Sequence, residues 1–238
     1  MQFKILKGQK LIHGIADSLF GSMREGNENS IKFLRSIGVK PPLQKRLIWA
    51  EEVFGTKVYV CKPDDSGVIK GVDGLISKNP GQILGVITAD CAPILFFDPK
   101  QRVVAILHGS RKSLTEGIIQ NVVKKMLSNF DSNPKDILVG IGPHIHVCHY
   151  WLKSRAYKSL KDTRFRKYFI KKGNKIYFDL SKLIFEELRK LGILKKNIEN
   201  CEICTFHTYK KYFSARKQEE SPGVYKETKP NFGSFIGL

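Results

Sequence analysis

The stretch VITADCAPILFFDP, residues 86–99, decides how this chain is read. A strand-like apolar run stops at Asp90-Cys91, meets Pro93, and turns apolar again over Ile94–Phe97. A strand buried on both faces reads as a near-continuous hydrophobic run, so it has no use for a carboxylate beside a thiol. Either the pair is packed, hydrogen-bonded filler, or the chain is delivering a thiol to a site.

Working outward, Ile83–Ile87 and Ile94–Phe97 read as buried strands, and Arg102–Leu107 as another that delivers His108. Lys112–Phe130 has helical apolar spacing at Leu114, Ile118, Val122, Met126 and Leu127. Ile137–Ile141 is a strand running into Gly142-Pro143. Residues 3–12 alternate as an edge strand would, and Asn27–Ile37 reads as a helix capped by Asn29 or Ser30 and ended by Gly38. Arg46–Cys61 suggests two short strands around Gly55, followed by a turn-rich connector, KPDDSGVIKGVDG. Further on come a strand at Ile176–Leu180, a helix at Leu180–Leu191 stopped by Gly192, and a strand at Ile198–Phe206. The apolar ending NFGSFIGL suggests a tail docked in the core. This alternation of strands and helices predicts one α/β or α+β domain of layered mixed sheets.

At 238 residues the chain can bury a large core. No apolar run approaches the ~20 residues that span a bilayer, and the amino terminus lacks a secretory pattern, so a cytoplasmic location without membrane contact is expected. The five cysteines are an odd, scattered set, which fits reduced thiols better than a disulfide framework. Cys201 and Cys204 form one CxxC with only His207 nearby, a weak zinc signal read as two semi-buried thiols near a strand. Lys plus Arg number 41 against 22 Asp plus Glu, a net charge of +19 that attracts anions. The most basic stretch, Lys153–Lys172, mixes cations with Tyr157, Phe165, Tyr168 and Phe169. Nucleic-acid binding would use such mixing; a lysine-rich amphipathic helix with its aromatics in the core is the preferred reading, and no nucleic-acid motif is present.

Cys91 and His108 are the strongest chemical pair. Each stands at the end of a buried strand, and Gly109-Ser110 leads into a helix whose free N–H groups would favour anions. A thiol beside an imidazole there suits a nucleophile or metal ligand, with Asp90 to orient the histidine or act as a base.

Other segments complete an ordered set. His13-Gly14 stands in an early HGFSTR-type segment, and Glu52–Thr56 occupies a QVHGT position. Gly71–Leu75 follows a DADALV-type turn, Thr88–Pro93 matches TADC-x-P, and His108–Ser113 occupies an HAGWRG position. Gly142-Pro143, Ile145, Cys148 and Tyr150 fit GP-x-I-x-x-C-x-Y. Phe178–Leu180, Cys204-Thr205, Phe213-Ser214-x-Arg216 and Ser234–Leu238 follow in order. This set resembles the YfiH-like laccase-domain family, proteins first labelled multicopper polyphenol oxidases and now regarded as purine nucleoside phosphorylases with adenosine deaminase activity. The resemblance implies an α+β fold, residues 1–238 as one domain of two packed mixed β-sheets flanked by helices, shared with cytotoxic necrotizing factor deamidases. It also implies a purine nucleoside and phosphate as partners, with no nucleotide cofactor; a monomer or homodimer is expected.

In that family the histidine of QVHG, the cysteine of TADC and the histidine of HAGWRG bind zinc. Here Cys91 and His108 match the second and third, but the first is Phe54. A phenyl ring donates no electron pair, so a weakened zinc site is expected. Ser18, Lys112 and Pro230-Asn231 replace other family residues, and lysine lacks the fork of arginine. His144 or His146, in GPHIHVCHYW, could replace the missing ligand, although a surface histidine cluster is the simpler reading; both histidines, with Lys112 and Arg216, are candidates for binding substrate or phosphate. Three functions follow: a divergent phosphorylase acting on adenosine, inosine or methylthioadenosine, possessing or lacking deaminase activity; a metal-free cysteine hydrolase using Cys91 and His108; or a silent ligand-binding homologue. Copper-based phenol oxidation is disfavoured, since the chain lacks repeated His-x-His ligand sets.

Overall fold

The two strands around residue 90 belong to different sheets. The computed structural model describes residues 1–23, 28–42, 46–226 and 229–238. Its first strands are β1 (Ile12–Ile15), β2 (Leu47–Ala50), β3 (Val58–Val60), β4 (Gly67–Ile69) and β5 (Gly74–Ser77). Then come β6 (Ile83–Thr88), β7 (Ala92–Asp98), β8 (Val103–Gly109) and β9 (Leu138–Ile141). The last are β10 (Phe169–Lys172), β11 (Lys175–Phe178), β12 (Ile198–Asn200) and β13 (Phe232–Gly237). Between them lie α1 (Glu28–Ser36), α2 (Arg111–Thr115), α3 (Ile118–Phe130), α4 (Ser154–Leu160), α5 (Leu180–Lys190) and α6 (Ala215–Glu220).

One sheet has the order β1-β13-β6-β2-β4 and the other β12-β9-β7-β8-β5-β3, while β10 and β11 form a separate hairpin. Both large sheets are mixed: β2 is parallel to β6 where β13 is antiparallel, and β9 is antiparallel to β7 where β12 is parallel to β9. The chain therefore crosses from one sheet to the other at Ala89–Cys91.

Alternation along the strands explains the layering. Ile15, Leu84, Val86, Phe232 and Ile236 of the first sheet pack against Leu75, Leu95, Phe97, Val104 and Ile106 of the second. The opposite face of the second sheet, with Ile94, Phe96, Ala105 and Leu107, is covered by Ile118, Val122 and Met126 of α3 and Leu183, Ile184 and Leu188 of α5. The outer face of the first sheet sets Trp49, Ile83 and Phe235 against Phe33 and Leu34 of α1. The carboxyl-terminal tail is β13, fully buried between β1 and β6.

Several expectations are corrected. Residues 4–8 form turns rather than a strand, with Gly8 and Lys10 in the left-handed region, and the edge strand begins only at Ile12. Asn29 and Ser30 lie inside α1 instead of capping it, and Asn27 falls outside the described residues. The helix expected over Lys112–Phe130 is two helices, because Gly117 at φ 98° breaks the path between α2 and α3. The basic stretch Lys153–Lys172 is helical only through Leu160; a 3₁₀ turn at Arg164–Tyr168 and β10 follow, and Phe165 and Tyr168 enter the core. The strand foreseen over Ile198–Phe206 stops at Asn200, ahead of Glu202 at φ 54°.

Candidate active site

At the crossing between sheets Asp90 takes φ 89°, a left-handed conformation uncommon outside glycine and tolerated best by short polar residues such as Asp and Asn. The local network holds it there. Its carboxylate accepts the Thr205 hydroxyl at 2.6 Å and the Arg216 amide at 2.6 Å, and its carbonyl accepts the Ile145 amide at 2.9 Å. Burial pushes the carboxyl up, against the opposing pull of Thr205, the Arg216 amide and Ser214. Asp90 thus ties three segments together next to Cys91.

His108 lies within β8, which runs past the predicted Leu107, and pairs with Pro93 of β7. The carboxylate on its Nδ1 is Asp73, at 2.8 Å, and not Asp90. Asp73 is fully buried and also accepts the amides of Val53, Phe54 and Gly55 at 3.1, 3.0 and 2.7 Å. Burial alone would raise its pKa, but the His108 bond and the Gly55 and Val53 amides hold the carboxyl below its ordinary range. For His108, burial works against the cation. The interaction with Cys91 and the bond to Asp73 outweigh it, and the imidazole is lifted to about 10. Asp73, His108 and Cys91 therefore form a line of interacting groups.

Phe54 occupies the remaining side of the imidazole, edge-on with ring centroids 5.1 Å apart. It too is left-handed, at φ 57°, and the residue is 52% exposed. Cys91, His108 and Phe54 line an open cavity of about 720 Å³ together with Glu52, Arg111, Tyr150, Trp151, Lys153 and Arg216. That size is within the usual range of small-molecule sites. Arg216 is 8% exposed, with its guanidinium 4.7 Å from the Trp151 ring centroid and donating to the Trp151 carbonyl at 3.1 Å. A second cleft, sharing Arg111 and Lys153, adds Lys112 and Arg155.

The other expected site residues lie elsewhere. Lys112 faces that second cleft and donates to the Phe54 carbonyl at 3.2 Å, while its neighbour Arg111 lines the main cavity. Helix α2 has only five residues, and the Ser113 amide is taken by the Ser110 hydroxyl, so positive charge at the cavity comes from side chains. Both ring nitrogens of His144 are engaged, by the Gly142 carbonyl and the Ser181 hydroxyl at 2.8 and 2.7 Å. His146 packs on His144 at 4.6 Å between centroids, and of this segment it is Ile145 that lines the cavity. Asp73 and Arg111 were given no role from sequence. An aspartate between two apolar stretches was the available signal for the first, and the residue next to a helix-capping serine for the second.

A family profile described as multi-copper polyphenol oxidoreductase laccase matches residues 22–226. The chain belongs to that family. Among its relatives, a purine nucleoside phosphorylase of Bacteroides thetaiotaomicron is 27% identical over 154 residues, 63% of this chain and 57% of that protein. One of Clostridium acetobutylicum is 32% identical over 165 residues, 67% of this chain and 66% of that protein. Escherichia coli YfiH, also named a purine nucleoside phosphorylase, is 27% identical over 82% of this chain and 75% of its own length. The matches thus span less than two thirds of the first two relatives. Among solved structures, Bacillus licheniformis YfiH superposes with a TM-score of 0.84 at 22% identity, covering 98% of this chain and 94% of its own. YlmD from Geobacillus stearothermophilus gives 0.83 at 22%, covering 99% and 93%. These likenesses establish the two-sheet α+β fold.

The zinc that the family resemblance implies does not fit the Cys91–His108 pair. Zinc sites in proteins take at least three protein ligands. Among the described residues no third His, Cys, Asp or Glu donor joins Cys91 and His108 in a metal-binding group, Glu52 of the same cavity included, and Phe54 packs against the imidazole. Among the described residues, the one group of three or more His, Cys, Asp and Glu side chains able to hold a metal lies elsewhere, at Cys148, His149, Cys204 and His207.

Proposed function

We propose that this chain cleaves the N-glycosidic bond of a purine nucleoside with phosphate, using the Asp73–His108–Cys91 line in place of a metal. The observation that carries this reading is the cavity itself. His108, whose pKa is raised toward the cation, lines it with Phe54 and Trp151, and Arg111, Lys153 and Arg216 bring positive charge, Lys153 and Arg216 pairing with Glu219 on the same wall. The phosphorylase names of the relatives support the reaction class.

In this mechanism the exposed Phe54 ring and Trp151 stack the purine, and Arg111 with Lys153 holds the phosphate. A phosphate oxygen forms a bond to C1′ as the bond from C1′ to N9 breaks. His108 gives its proton to the departing purine, so that the base leaves neutral, and regains one from the monohydrogen phosphate. Asp73 keeps the imidazole oriented and stabilises its cation.

The test is incubation of adenosine, inosine and methylthioadenosine with and without phosphate, following free base and sugar phosphate by chromatography. Base release should require phosphate and vanish in His108→Asn. If no nucleoside yields base in a phosphate-dependent way, the reading fails; conversion of adenosine to inosine would register deamination as a separate activity. Binding without turnover would leave a ligand-binding homologue.

A second reading is favoured by one feature. An acid on Nδ1 with a thiol on the other side of the ring is the arrangement of a cysteine hydrolase. A burst of product from an activated ester, lost in Cys91→Ala, would support that alternative.

A further inference from the structure

Outside the cavity, two pairs of residues meet that are far apart in sequence. Cys148 and His149 come from the loop after β9, and Cys204 and His207 from the turn after β12. The four ligand atoms lie within 4.8 Å of one another. Cys148 Sγ is 3.7 Å from Cys204 Sγ, 3.9 Å from His207 Nδ1 and 3.3 Å from His149 Nδ1.

These separations have a simple interpretation. Around a tetrahedral zinc, with bonds of ~2.3 Å to sulfur and ~2.05 Å to nitrogen, two sulfurs stand ~3.8 Å apart and a sulfur and a nitrogen ~3.6 Å. The three spacings around Cys148 lie within about 0.3 Å of such edges, and all four ligand atoms are within 4.8 Å of one another. They are far too long for a disulfide, whose sulfurs approach to ~2.05 Å. The surroundings also hold the imidazoles in place: His149 stacks on Phe206, centroids 4.0 Å apart and planes at 13°, and meets His207 edge-on at 4.2 Å.

We propose that Cys148, His149, Cys204 and His207 bind one zinc ion as a closed structural site, separate from the Cys91–His108 cavity. Its place in the fold gives it a task. The loop after β9 supplies Tyr150 and Trp151 to the cavity wall. The turn after β12 supplies Thr205, which bonds Asp90 beside Cys91. Zinc staples the two segments together and so fixes that wall.

The whole chain is purified under a non-chelating reductant and assayed for zinc by elemental analysis, and for thermal midpoint with and without added zinc. Cobalt reconstitution adds a readout through the visible bands of tetrahedral cobalt and its sulfur-to-metal charge transfer. Wild type and Cys91→Ala should each hold one zinc equivalent, show the cobalt–thiolate bands and gain midpoint with zinc. Cys204→Ser should lose all three effects. His207→Ala, at an exposed position where folding is not at risk, should lose the stoichiometric zinc while keeping the wild-type circular dichroism. Zinc retained in His207→Ala and Cys204→Ser but lost in Cys91→Ala would overturn the assignment. So would a protein that takes up no zinc or cobalt with its thiols reduced, including one whose Cys148 and Cys204 simply pair on oxidation.

Discussion

Two side chains on His108 decide what the site can do. Phe54 sits at φ 57°, a region where histidine is several-fold enriched and bulky residues are strained. Phe54→His would therefore suit the backbone better and place a third donor beside Cys91 and His108. Made in a Cys204→Ser background, to silence the other cluster, it should gain about one zinc per chain by elemental analysis; an unchanged metal content would mean the ring position is wrong for coordination. Asp73 acts through the ring's other face. Asp73→Asn turns one acceptor oxygen into a donor opposite the amides of residues 53–55, at a cost of about 1–3 kcal/mol read by urea denaturation. It also removes the anion that favours the imidazolium. If His108 acts as an acid, kcat should fall with little change in KM, and the alkaline limb of the pH–rate profile should move to lower pH.

At the scale of elements, β7 and β8 approach closely beside the site. A Cβ on Gly109 would lie 2.7 Å from the Ala92 carbonyl oxygen, a backbone atom that cannot swing aside. Gly109→Ala should therefore pry the strand pair apart next to His108 and cost about 1–3 kcal/mol, as overpacking does, seen as a lower urea midpoint; unaltered stability would show that the pair has room to give. The strands β6, β7 and β8 were legible in the sequence because residues buried on both faces leave continuous apolar runs. Helix α5 was legible too, through the stop at Gly192, while the cap that Asp179 supplies at its start is seen only in the structure. What the sequence did not display depends on register or on single dihedrals. Pairing of Gly74 with Leu107 sets Asp73 beside His108, 35 positions away, and no local pattern announces it. The left-handed residues Lys10 and Glu202 are not glycines, so nothing at those positions marks them. Likewise Cys204 was read against its neighbour Cys201, whereas the fold brings it to Cys148.

For the molecule as a whole, charge and one buried imidazole act in the same direction. Nineteen net positive charges repel one another in the compact state. His13, 2% exposed on β1, sets Nε2 3.1 Å from the Phe3 amide nitrogen and 3.2 Å from the Phe3 carbonyl oxygen, where it accepts from the first when unprotonated and donates to the second when protonated. Burial lowers its pKa below the ordinary 6.5, against smaller upward pulls from the Phe3 backbone and Glu199. As pH falls below 6.5 the unfolded chain takes up a proton that the folded one refuses. The unfolded state then binds more protons, so stability must decrease with falling pH, by at most about 1.4 kcal/mol per unit for this one group. Protonation of carboxylates adds to the repulsion at the same time. The two contributions can be separated by urea unfolding at pH 7.5 and 5.5, in low and high sodium chloride. Salt screens exposed charges but not a buried ring, so it should recover the repulsive part in both wild type and His13→Gln. The residual acid loss at high salt should be smaller in His13→Gln than in wild type. Equal residual losses would mean that His13 takes its proton in the fold as readily as in the open chain.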